Sequence, residues 1–118
     1  MPSIDEHLEQ ARHNEDLLTG LDRDQFGDWA MTVLFYSGLH WIDALLASKN
    51  IHPERHEVRD RLVWKNLELR PIAKDYLSLK TRSVNARYDC VRFDRTQVKD
   101  AESRHLKAIK DELKKYFP

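Results

Sequence analysis

Between Trp29 and Ser48 the chain carries one formal charge, Asp43, while Trp29, Val33, Leu34, Phe35, Leu39, Trp41, Ile42, Leu45 and Leu46 point in every direction around a helical axis. A helix that is apolar all round must be covered all round. The stretch is long enough to raise a membrane span, but His40 and Asp43 near its middle, with Thr32, Ser37 and Gly38, would place costly polar groups in hydrocarbon. The expectation is a central rod in a protein core, with no membrane.

The flanking segments have the patterns needed to cover such a rod. Ile4, Leu8, Ala11 and Leu18 recur at helical spacing from about Ser3 to Thr19, and Gly20 supplies a stop because glycine takes the left-handed conformation cheaply. Asp22 or Asp24 can cap the central helix, which then runs to Ser48 over about 37 Å. Ser37 and Gly38 leave room at its midpoint for another backbone.

Two prolines open further helices: Pro53 a short one ending near Lys65, and Pro71 a longer one with the stripe Ile72, Tyr76, Leu79, Ser83 and Ala86, ending near Arg87. Tyr88, Cys90, Val91 and Phe93 form a link that can pack as a lid. Asp94 with Gln97 reads as a capping box, and Val98, Ala101, His105, Ile109, Leu113 and Tyr116 then face the core. The fold class is all-α: one domain over residues 1–118, an up-and-down bundle of four to five helices.

Composition agrees and removes several functions. With 41% hydrophobic and 34% charged residues and only three glycines, the chain suits amphipathic helices and not disorder. Basic and acidic residues number 20 each, so no global field draws it to a polyanion and any such contact is local. Cys90 is the sole cysteine, which excludes an internal disulfide and a multi-cysteine zinc site. The acidic start lacks the basic and apolar regions of a secretory signal, so a cytoplasmic setting is expected.

Several polar groups can carry chemistry. Tyr36, His40 and Asp43 share a flank of the central helix, so His40 is either a general base oriented by Asp43 or a buried, hydrogen-bonded histidine. His56 and Arg59 share a face at a helix start that favours anions, and the alternative pairs Arg59 with a carboxylate of the bundle. His52 and His56 do not form a zinc-protease motif and lack further ligands, so no metal or other cofactor is expected. Arg82, Arg87, Arg92 and Arg95 with Tyr88 and Phe93 form either a single-stranded RNA surface or a salt-bridged face. Trp29, Trp41 and Trp64 read as core or interface.

Phe35-Tyr36-Ser37-Gly38-Leu39-His40, Ala44-Leu45-Leu46-Ala47, His56-x-x-Arg59 and Ala86-Arg87-Tyr88 together resemble the HEPN domains (higher eukaryotes and prokaryotes nucleotide-binding), over roughly residues 25 to 115. The resemblance implies a helical bundle, often homodimeric, found in toxin–antitoxin and defence modules and associated with nucleotides or RNA. Its ribonuclease motif, Arg-x(4 to 6)-His, is missing, because Arg12-His13, Arg55-His56 and Arg104-His105 are adjacent pairs. The transferable set is Tyr36, His40, His56, Arg59, Arg87 and Tyr88, as a nucleotide or RNA phosphate site or as a polar network fixing helix register. A metal-independent ribonuclease using His40, His56 and Arg87, and a purely structural module for a homodimer or partner protein, are the competing expectations.

Overall fold

The computed structural model describes residues 1–117 and contains, among them, helices and turns but no strand. The helices are α1 (Ile4–Gly20), α2 (Gly27–Ser48), α3 (His56–Lys65), α4 (Ala73–Tyr88), α5 (Arg95–Ala101) and α6 (Lys107–Leu113). A π-helical segment, Glu102–Leu106, joins α5 to α6 without a break, so the last three elements form one rod. The chain is an all-α bundle around α2.

Fifteen of the 22 residues of α2 are buried, and α1 and α4 provide most of the cover, with the last rod on a third side. The cover is incomplete. Trp29, Val33, Tyr36 and His40, spaced four, three and four residues apart, form a stripe that stays partly open to solvent. By length and composition α2 could cross a membrane, yet 78% of its apolar window is buried inside the globule.

Local chemistry explains the ends of the helices, and several differ from the sequence expectation. Ser3 and Glu6 form a reciprocal capping box on α1, and Asp94 and Gln97 form the expected one on α5. Gly20 does not take the left-handed conformation; α1 runs through it and ends on an extended Leu21. Asp22 does not cap α2 either. Its carboxylate accepts from the backbone of Asp24 and Gln25, both at 3.0 Å, which closes a separate turn and delays α2 until Gly27. The helix is about 33 Å long in consequence.

Gly27 is where the link between α4 and α5 crosses α2, since a Cβ there would stand 1.8 Å from the Phe93 carbonyl oxygen. The midpoint behaves differently from expectation: Gly38 meets the Ile109 and Leu79 side chains, while Ser37 reaches the α1 backbone by donating to Ala11 O at 3.2 Å. Pro53 lies outside any helix, and α3 starts only at His56, after an extended Arg55. Within the link only Phe93 packs; Tyr88, Cys90 and Val91 are exposed, so it is no lid.

The π-helical segment adds a residue to one turn of the last rod. The buried row therefore runs Val98, Ala101, Leu106, Ile109 and Leu113, with Leu106 in the place expected for His105. Tyr116 is exposed. Trp41 is buried, whereas Trp29 and Trp64 are 58% and 42% exposed and so are not core residues.

Candidate functional site

Three groups of polar side chains surround the buried ring of Phe35 or adjoin it along α2. The innermost is an ion pair. Arg59 reaches across from α3 and grips Asp43 with two hydrogen bonds, Nε to Oδ1 at 2.8 Å and Nη2 to Oδ2 at 3.0 Å, both side chains being buried. Burial opposes the Arg59 charge, but the hydrogen bonds and charge of Asp43 overcome it and raise the guanidinium pKa. Two further contacts reach the Pro53 carbonyl and His56 Nδ1, both at 3.4 Å, and Tyr76 also faces the guanidinium.

This pairing decides between two expectations. Asp43 is engaged by Arg59 and does not orient His40; Arg59 is enclosed against a carboxylate and is not open to an external anion. Both side chains connect α2 with α3.

The second group pairs α1 with α2. His40 Nδ1 lies 3.0 Å from His7 Nδ1, with the rings tilted at 34°. Burial draws His7, His40 and His56 below the ordinary histidine pKa; His7 adds to the effect on His40, and Arg59 to that on His56. His7 was not among the expected site residues. Its signal was its place in the row Ile4, His7, Leu8 and Ala11, a polar side chain at a core-facing position.

The third group is the most open. Arg87, in the last turn of α4, donates from Nη1 to the Tyr36 hydroxyl at 2.6 Å, from Nη2 to Ser83 Oγ at 3.0 Å and from Nε to the Ser83 carbonyl at 3.2 Å. Its guanidinium lies 5.8, 5.4 and 5.2 Å from the ring centres of Phe35, Tyr36 and Tyr88, within cation–π range of all three. Among the described residues no carboxylate oxygen comes within 4.0 Å of it. Arg92 and Arg95 differ, being paired with Asp28 and Asp24. Exposed His56 sits nearby, its ring centre 6.0 Å from that of Phe35.

Tyr36, Arg87 and Tyr88 are thus brought together, His56 also faces the Phe35 ring, His40 is occupied with His7, and Arg59 is sealed within the bundle. Three clefts, of about 670, 320 and 500 Å³, are lined chiefly by α1 and the last rod, and none includes any of these six residues. Among the described residues no three histidine, cysteine or carboxylate side chains are grouped to hold a metal. No protein-family model, curated protein or solved structure matches the chain.

Proposed function

We propose that the chain is a HEPN-like domain without catalytic activity toward RNA, which binds a nucleotide or RNA phosphate at the Arg87 surface. The observation that carries this reading is a partly buried guanidinium held by neutral oxygen atoms, with no carboxylate among the described residues to neutralise it and an exposed tyrosine ring beside it. A phosphate would supply the missing negative charge, and Tyr88, 72% exposed, offers a face for a base. Trp29, on the open stripe of α2 that includes Tyr36, extends the aromatic surface. The Arg87–Tyr36 hydrogen bond fixes the cation in advance, which lowers the ordering cost of binding.

Equilibrium binding of labelled oligoribonucleotides and of nucleotides, measured for the parent and for Arg87→Ala at two salt concentrations, tests the reading. Weak binding that falls with salt and is lost in Arg87→Ala is expected. No binding by the parent, or equal binding by the variant, counts against it.

A second reading is a metal-independent ribonuclease, supported by one observation: His56 is exposed, has a lowered pKa and stands near Arg87. A neutral imidazole beside a cation suits general-base attack on a phosphodiester. Incubation with RNA in chelator distinguishes the readings, since cleavage abolished by His56→Ala would establish an enzyme. The open stripe from Trp29 to His40 also suits a second copy or a toxin–antitoxin type partner, and sedimentation over a range of concentrations tests self-association.

A further inference from the structure

A second constellation lies elsewhere on α4. Asp75 and Ser78 are three residues apart and share a face of the helix. Against them the π-helical segment of the last rod sets His105, with Nδ1 2.9 Å from Asp75 Oδ1 and Nε2 3.2 Å from Ser78 Oγ. A carboxylate only accepts, so in the neutral ring Nδ1 carries the proton and Nε2 presents a lone pair to the serine hydroxyl. Arg82, one turn beyond Ser78, donates from Nη1 to the same Oγ. The donor directions are consistent from Arg82 to Ser78, from Ser78 to His105, and from His105 to Asp75.

Two features separate this chain of contacts from ordinary surface polarity. Hydroxyls within helices usually turn back onto a carbonyl of the preceding turn. Thr19, Thr32, Ser48 and Ser103 do so here; Ser37 instead reaches a backbone carbonyl of α1, whereas Ser78 meets two side chains, His105 and Arg82. The extra residue of the π-helical segment is also what brings Leu106 into the core row and leaves His105 beside α4. His105 and Asp75 keep 15% and 23% of their side-chain surface, so the group is held firmly and still reaches solvent.

We propose that Ser78 is a nucleophile toward small esters, with His105 as its general base and Asp75 holding the imidazole tautomer. Roles, not fold, define such a triad. As Ser78 Oγ bonds to the ester carbonyl carbon, Nε2 takes the hydroxyl proton and the carbonyl electron pair moves to oxygen, where the Arg82 guanidinium balances it. Collapse breaks the bond to the leaving oxygen, which takes the proton from His105. Water, deprotonated by His105, then attacks the acyl-serine, and the proton returns to Ser78 as the carboxylic acid leaves. Lys74 and Arg82 stand one turn before and after Ser78, so the favoured ester is small, unhindered and anionic. This reading shares no residue with the Arg87 surface.

The full chain is incubated with 4-nitrophenyl acetate and with its anionic hemisuccinate counterpart, following nitrophenolate release and intact mass, with the acylated peptide mapped by mass spectrometry. An adduct on Ser78 is expected, formed faster with the hemisuccinate, absent in Ser78→Ala, and slowed on the order of 10²- to 10⁴-fold in His105→Gln. Acylation confined to lysine, tyrosine or other sites, or an unchanged Ser78 rate in His105→Gln with its helical circular dichroism intact, overturns the proposal. Should Ser78→Ala fail to fold, the mapped position on the parent chain decides alone.

Discussion

His7 and His40, 33 residues apart in sequence, face each other through their Nδ1 atoms at 3.0 Å. One ring must donate and the other accept, so the contact needs at least one neutral imidazole, and two charged rings would repel. Burial favours the neutral forms. The groups around the pair are Glu6 on α1, Asp43 on α2, Arg59 on α3 and His52 in the preceding loop, the two carboxylates opposing the downward shift and Arg59 and His52 adding to it.

This contact makes stability depend on pH. A histidine whose pKa is lowered by folding binds more protons when unfolded, so its contribution is complete above the ordinary value of about 6.5 and is lost as pH falls from there through the folded value. His7, His40 and His56 act in the same direction. Thermal denaturation between pH 8 and pH 5 should show a Tm that is level above neutrality and falls below about pH 6.5. In His7→Gln the fall should be shallower.

The Asp43–Arg59 pair predicts an asymmetric mutational response. Removing one partner leaves a buried, unpaired charge, so Arg59→Ala should lower stability by about 3 to 5 kcal/mol in urea denaturation. Replacing both, as Asp43→Leu with Arg59→Met, removes the charge and preserves volume. The double variant should recover much of that loss.

Gly27 and Gly38 should differ although both lie in α2. Gly27→Ala sets a methyl group against the Phe93 carbonyl, a backbone atom that moves only with the whole link, and should cost about 1 to 3 kcal/mol. At Gly38 the nearest atom is Ile109 Cδ1 at 3.2 Å, the end of a flexible side chain. Gly38→Ala should therefore be the milder change, as paired thermal melts would show.

Asp94→Ala removes the side chain that accepts from Gln97 N at 2.8 Å at the start of α5. A loss of about 1 kcal/mol is expected. Hydrogen exchange should quicken at the first amides of α5 before it changes in α6.

Much of the architecture was legible because it rests on local rules. The near absence of charge between Trp29 and Ser48 marked the central helix, and Asp94 with Gln97 marked the start of the last rod three residues at a time. Boundaries failed where two local solutions compete. Asp22 can cap a helix or close a turn, and Gly20 can end a helix or continue one; the chain takes the second option in each case.

The candidate site was less legible because its meaning lies in partners. Sequence spacing put Tyr36, His40 and Asp43 on one flank of a helix, and that much is determined by 3.6 residues per turn. Their partners come from three different helices: His7 for His40, Arg59 for Asp43 and Arg87 for Tyr36. The sequence by itself determined most of the side chains that each regular helix offers inward, since periodicity is a property of one segment, but not the π-helical turn that sets Leu106 in the place of His105. Only the tertiary structure decided which charges are neutralised and which remain open, because hydrogen bonds and ion pairs act over a few ångströms between segments whose separation along the chain carries no record of their distance in space.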